Sequence, residues 1–239
     1  KILLNLDQIT LKKNYENAWE CDLDNEQALE VMKNIQENIF EESTIHTDIG
    51  LDVAASEFYK NNKYYYKNRA KVLSKEEQIK YIVELAKKYN LFYIEDPLNE
   101  DDFRGFSEIV KQVNCLIVGD DLTVTNFERV EKAIKMDAIT GLIVKPNQTG
   151  SLIEVKKIID LCKKNGIKTI MSHRSGESVD NTIADLAFAW QCDFIKTSVV
   201  GPEREAKVNR LMEIEGTLKS SIEDDLRVKR EQNIVDLGE

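Results

Sequence analysis

Short, continuously apolar segments alternate along the chain with stretches in which apolar residues return every three or four positions. That is the pattern of strands interleaved with amphipathic helices. Leu91 to Ile94, Leu116 to Val118, Gly141 to Val144, Lys168 to Met171 and Phe194 to Ile195 are short enough to predict buried parallel strands. Between them, Ile79, Ile82, Val83 and Ala86 share a helical face behind Ser74 and Glu77. Val130, Ala133 and Ile134 likewise follow Thr125 and Glu128, and Val155, Ile158, Ile159 and Cys162 follow Ser151 and Glu154. A hydroxyl residue three positions before a glutamate predicts a helix start, because each side chain can satisfy a backbone N–H that the first turn leaves open. The last of these helices is predicted to stop at Asn165-Gly166.

Each predicted strand ends on a polar or charged residue: Glu95, Asp120, Lys145, His173 and Lys196. They lie roughly 25 residues apart, room for one strand, one helix and two short loops. Functional groups at the C-terminal ends of consecutive strands favour an α/β barrel, where those ends share one mouth, over a doubly wound sheet. No Gly-rich phosphate loop supports the second fold. From Gly216 onward the chain is charge-rich, with Glu223-Asp224-Asp225 and Arg227 to Glu231, and offers no further clear strand. Residues 1–215 are therefore read as the barrel portion and 216–239 as a charged helical tail.

Composition narrows the function classes. At 239 residues and 42% hydrophobic the chain can bury a sizeable core. A net charge of −10 opposes generic attraction to nucleic acid or anionic membranes, so small molecules and protein subunits are the expected partners. No apolar run approaches the roughly 20 residues that span a bilayer. The four cysteines, Cys21, Cys115, Cys162 and Cys192, form no Cys-x-x-Cys pair and suit a reducing cytoplasm.

The chemistry concentrates at the strand ends. Asp52, Glu95 and Asp120 each follow an apolar segment, and hard carboxylate oxygens at one mouth suit magnesium. The alternative is that each caps a helix or meets a basic neighbour. Lys145 and Lys196 follow Ile143-Val144 and Phe194-Ile195, where desolvation and nearby cations can tune an amine for proton abstraction. Either lysine can instead snorkel to solvent or pair with an acid. His173-Arg174-Ser175-Gly176-Glu177 joins an imidazole, a guanidinium and a hydroxyl on a turn-permitting backbone, a compact oxyanion receptor. The other histidine, His46, has no such company.

Six segments in series carry a family resemblance: Leu51-Asp52-Val53-Ala54-Ala55-Ser56-Glu57-Phe58-Tyr59, Ile94-Glu95-Asp96-Pro97, Val118-Gly119-Asp120-Asp121-Leu122-Thr123-Val124-Thr125-Asn126, Lys145-x-Asn147-Gln148-x-Gly150, Ser172-His173-Arg174-Ser175-Gly176-Glu177 and Ile195-Lys196-Thr197. From about residue 14 to residue 215 the chain resembles the C-terminal TIM barrel of enolases. The resemblance implies magnesium-dependent, reversible dehydration of 2-phosphoglycerate to phosphoenolpyruvate, in glycolysis and gluconeogenesis. It implies that Asp52, Glu95 and Asp120 bind the tighter of two magnesium ions, the second arriving with substrate, and that Lys145 removes the C2 proton. Glu95 and Asp120 would also face substrate, Lys196 would neutralise its carboxylate, Arg174 and Ser175 would hold its phosphate and His173 would lie close by. Glu16 is the best match to the acid that assists departure of the C3 hydroxyl. A cytoplasmic homo-oligomer is the implied state of the intact protein.

The chain also departs from the family. Tyr15 and Asn17 replace the usual Asp and Gly around Glu16, and Pro146 stands where valine is common. The N-terminal α+β domain and first barrel elements are expected to be missing from this segment, and with them the lid loops, so turnover by the chain alone is expected to fall sharply. Two other readings stay open. One is a superfamily enzyme that abstracts the α-proton of another phosphorylated carboxylate, and the other is a non-catalytic binding or structural protein on the same scaffold.

Overall fold

The computed structural model describes residues 11–14, 18–67 and 71–236. The chain divides into two compact units, Lys1–Ile170 and Met171–Glu239.

The first unit opens with an antiparallel pair, β1 (Leu11–Lys13) and β2 (Trp19–Cys21), followed by helix α1 (Asn25–Ser43). A parallel ladder then forms from β3 (Gly50–Asp52), β7 (Tyr93–Glu95), β8 (Leu116–Gly119) and β9 (Gly141–Val144). Between β3 and β7 lie a 3-10 turn, Ala55–Phe58, and a three-stranded antiparallel sheet of β4 (Tyr59–Lys60), β5 (Lys63–Tyr66) and β6 (Lys71–Leu73). The helices are α2 (Lys75–Lys88), α3 (Phe103–Val110), α4 (Phe127–Lys135), the single turn α5 (Pro146–Thr149) and α6 (Leu152–Lys164). Strand β10 (Lys168–Ser172) straddles the division. The second unit adds α7 (Thr182–Ala189), β11 (Phe194–Lys196) and the long helix α8 (Pro202–Asp236). Gly216, read from sequence as the start of a tail, lies within α8.

The α/β reading holds, and the reason is burial. Every residue of β9 is buried, as continuous apolarity requires of a strand covered on both faces. Val118, Ile143 and Ile170 from successive strands pack into one cluster, with Tyr93 and Leu116 against it. The predicted faces of α2 and α6 are buried in full: Ile79, Ile82, Val83 and Ala86 in one, Val155, Ile158, Ile159 and Cys162 in the other. Each fully buried aliphatic side chain is worth about 1.5–3 kcal/mol relative to exposure. Helix α6 ends where predicted, with Asn165 as its cap and Gly166 at φ 71°.

Two of the three predicted helix starts stand, one as a complete capping box and one in half. Ser74 and Glu77 form the complete, reciprocal box. Ser151 accepts from the Glu154 N–H at 3.4 Å. The Thr125 start is corrected: Asn126 caps α4 by accepting from the Arg129 N–H. Thr125 has a left-handed backbone, φ 50°, and its hydroxyl is engaged elsewhere. The same signature in Asp24 and Gln27 starts α1 with a full capping box, which the sequence reading passed over.

Gly141 exposes how closely β8, β9 and β10 approach. A Cβ at this position would lie 2.8 Å from Val118 Cγ2 and 3.4 Å from Ile170 Cδ1. Gly141→Ala is expected to destabilise the chain by about 1–3 kcal/mol through overpacking, read as a lower urea midpoint. An unchanged midpoint would mean the strands can separate freely at this point.

Candidate active site

The first unit brings four of the sequence-predicted residues to the C-terminal ends of adjacent strands. Asp52 and Glu95 end β3 and β7 and are register partners, Asp120 follows β8, and Lys145 follows β9. The parallel ladder dictates this: side chains at equivalent strand ends lie at one edge of the sheet.

Glu95 is 1% exposed and Asp120 7% exposed, so both carboxylates need local compensation. Tyr93 donates its phenol to Glu95 Oε2, and Lys145 Nζ pairs with Asp120 Oδ2. Burial, followed by the charge and hydrogen bond of Glu95 and the charges of Asp52 and Asp120, strongly raises the Tyr93 phenol, which therefore stays a donor. Asp120 Oδ1 is different. It is buried with no hydrogen-bond partner among the described residues.

Among the described residues, Glu95, Asp96 and Asp120 can each present an oxygen within 4.8 Å of the other two. Asp52 stands outside this tight group, exposed at its strand end. The donor set is all carboxylate, and with the open Asp120 Oδ1 it fits a hard divalent cation.

Sequence reasoning missed three residues around this group. Tyr93 is one, and Asp96 is the second. The third, Thr125, places its Oγ1 2.9 Å from the Lys145 N–H, which it accepts, and within reach of Ile143 O and Gln148 Oε1. That contact needs a tight turn. Val124 and Thr125 both adopt left-handed backbones, φ 44° and 50°, costly for β-branched residues. The run of three β-branched residues, Thr123-Val124-Thr125, between Asp120 and an Asn cap was the available signal, since such strain gathers at functional loops.

A cavity of 690 Å³ also lies in this unit, walled by α1, α2 and the β3 edge. Its lining is mostly apolar and includes Asp52 but not Glu95, Asp120 or Lys145, so the charged chemistry is not inside it.

The second unit carries His173 just after β10 and Lys196 at the end of β11, where the His173 N–H donates to the Lys196 carbonyl at 3.1 Å. Arg174 and Ser175 follow in a loop fastened to α8. Arg204 Nη2 donates to the Ser175 carbonyl at 3.0 Å, and Lys207, fully buried, reaches the Ser178 carbonyl and lies 3.3 Å from Glu177 Oε1. Burial opposes ionisation of Glu177 most strongly. The Ser178 and Arg174 N–H groups and Lys207 together outweigh it and hold the carboxyl below its usual range. Glu16 lies outside the described residues.

A family model described as the C-terminal TIM barrel domain of enolase matches residues 16–228. The enolase of Archaeoglobus fulgidus is 44% identical over 203 residues, covering 85% of this chain and 50% of that relative. The enolase of Methanocorpusculum labreanum is 46% identical over 208 residues, covering 85% and 52%. That of Pyrobaculum aerophilum is 38% identical over 216 residues, covering 90% and 52%. The chain spans about half the length of the curated relatives it matches.

The Lys145–Asp120 pair makes a stability prediction. Lys145→Met removes the charged partner of a buried carboxylate, and a lost hydrogen bond between charged groups typically costs about 1.5–3 kcal/mol. Urea unfolding of the metal-free chain is expected to shift by that amount, and equal stability of the two chains would show that Asp120 finds solvent instead.

Proposed function

The chain belongs to the enolase family, carrying its C-terminal TIM barrel domain, and from that premise we propose that it provides the catalytic face for magnesium-dependent dehydration of 2-phosphoglycerate. The observation that carries the reading is the Lys145 amine held against Asp120 beside the buried Glu95. Abstraction of a proton next to a carboxylate needs a base and a strong positive counter-charge within one small space; Lys145 can supply the base, and the buried carboxylates can hold the divalent cation that would supply the charge.

In this proposal Asp52, Glu95 and Asp120 would hold the tighter of two magnesium ions, the second coming with substrate, and the bound metal would supply positive charge to the substrate carboxylate. Lys145, after its ammonium has released a proton to solvent, accepts the C2 proton on Nζ. The electron pair forms the C2–C3 double bond as the C3 hydroxyl leaves, protonated by Glu16, so that water and phosphoenolpyruvate are the products. Arg174 and Ser175 bind the phosphate, with the guanidinium offering paired N–H donors. His173 lies close to the substrate and Lys196 offsets its carboxylate charge. The Lys145 N–H, donated to Thr125 Oγ1, anchors the backbone from which the base extends. A cytoplasmic homo-oligomer built from the longer protein belongs to the same proposal.

The test is phosphoenolpyruvate formation from 2-phosphoglycerate and magnesium, followed by ultraviolet absorbance, in the chain and in Lys145→Ala. Turnover is expected to fall by about 10²- to 10⁴-fold in the variant, the usual contribution of a general base. A folded chain that neither binds magnesium nor turns over would sink the reading in favour of a non-catalytic scaffold.

A further inference from the structure

Asp96 sits among the proposed magnesium ligands, yet its oxygens are already engaged. Oδ1 accepts the Asp120 N–H at 3.1 Å and the Leu122 N–H at 3.4 Å, and Oδ2 accepts the Asp121 N–H at 2.7 Å. Three successive amides of the segment after β8 thus point into one carboxylate, which is 2% exposed. The backbone of the same residue ties the neighbouring strands. Its N–H donates to the Val118 carbonyl at 3.0 Å, and its carbonyl accepts the Ala55 N–H at 3.1 Å. Asp96 therefore meets the segments after β3 and β8 while itself following β7.

Its own position is fixed from the far side. Gln78 Nε2 donates to the Pro97 carbonyl at 3.1 Å, and the Asn99 N–H donates to the Tyr64 hydroxyl at 3.0 Å, so α2 and β5 hold the chain directly after Asp96. The residue adopts a left-handed backbone, φ 41°, which an Asp tolerates better than most and which a functional constraint can sustain. Other groups around the 120–122 segment do not replace it. Arg129 Nε grips the Leu122 carbonyl at 2.7 Å, and Thr123 and Val124 donate to the Asp120 carbonyl, but these fix carbonyls and leave the three N–H groups to Asp96.

We infer that Asp96 is a positioning residue and not a ligand: by gathering the amides of Asp120, Asp121 and Leu122 it sets the direction in which the Asp120 carboxylate leaves the backbone, toward Glu95 and Lys145. The role in metal binding rests on the function proposed above, whereas the grip on the backbone does not. Three N–H donors take three of the roughly four lone-pair sites of the Asp96 carboxylate, while Asp120 keeps Oδ1 open.

Two measurements on the full chain test this, and their failures are distinguishable. In metal-free protein, hydrogen exchange at the amides of Asp120, Asp121 and Leu122 is expected to accelerate at least about tenfold in Asp96→Ala and less in Asp96→Asn, whose amide oxygen still accepts. In a Mn2+ titration followed by the EPR signal of the free ion, affinity is expected to weaken by about 10- to 100-fold in Asp96→Ala, the usual consequence of losing a group that orients a ligand. Asp96→Asn should retain part of that affinity, and Asp120→Ala serves as the ligand-loss control. Unchanged exchange in Asp96→Ala overturns the inference. So does Mn2+ affinity equal to the parent chain when Asp120→Ala has lost it, or Asp96→Asn that loses Mn2+ as completely as Asp120→Ala with its amides still protected, which would make Asp96 a ligand. If the parent chain itself does not bind Mn2+, the magnesium reading fails, and the exchange experiment still decides the grip. Should Asp96→Ala not fold, Asp96→Asn carries the exchange comparison, and unaltered rates there count against the proposal.

Discussion

A buried carboxylate survives folding only when donors or a cation offset its desolvation, and the strand-end cluster of the first unit follows from how three acids meet that demand. Glu95 takes the Tyr93 phenol, Asp96 takes three backbone amides, and Asp120 takes the Lys145 ammonium on one oxygen. Each uses a different kind of donor. The phenol reaches back along the same strand, the amides belong to the next strand's end, and the ammonium comes from the strand beyond. The group can therefore exist only where β7, β8 and β9 lie parallel and in register, and the apolar interior of Val118, Ile143 and Ile170 is what holds them so. Burial pushes the Asp96 carboxyl up to about 8, with the Asp121 and Asp120 amides pulling the other way and their carboxylates adding to the rise. Packing a further acid beside these would raise that electrostatic cost, of which the backbone amides offset only a part.

The helices and strands were legible because their signals are local. Continuous apolarity in Gly141 to Val144 and the Ser74–Glu77 box need no knowledge of the rest of the chain, and both appear as read. The enolase resemblance drawn from six ordered segments is likewise borne out, with a family model running from residue 16 to residue 228. Thr125 shows where this kind of reading stops. Its sequence neighbourhood offers a hydroxyl and a glutamate at capping distance, but the hydroxyl accepts the Lys145 N–H from 20 residues away, and Asn126, next in line, caps the helix instead. A tertiary contact outweighed a local one, at the expense of two strained β-branched residues.

The candidate site divides along the same line. Asp120 and Lys145 were found as residues at strand ends, whereas that they pair with each other is a fact of register. Asp96 was quoted as part of the Ile94-Glu95-Asp96-Pro97 segment and given no role, because nothing in the sequence around it shows which backbone groups its carboxylate meets. What reveals it is the count of amides converging on its carboxylate, and no spacing rule contains that. The aromatic sheet between β3 and β7 was not read at all. Its use becomes visible only through Tyr64 and Gln78, which hold the loop after Asp96.

The second unit solves a different problem with the opposite charge. The loop that carries Arg174 and Ser175 is held both by one of its own side chains and by the helix that follows. It is fixed from beneath, where Arg204 and Lys207 on α8 donate to the carbonyls of Ser175 and Ser178, and Glu177 collects the Arg174 and Ser178 amides. Both cations are buried, and each has a carboxylate beside it: Arg204 lies 3.8 Å from Glu203 and Lys207 lies 3.3 Å from Glu177. The carbonyls of Ser175 and Ser178 are thus bound by charged donors, the stronger kind of hydrogen bond, and that is how the loop keeps one backbone shape.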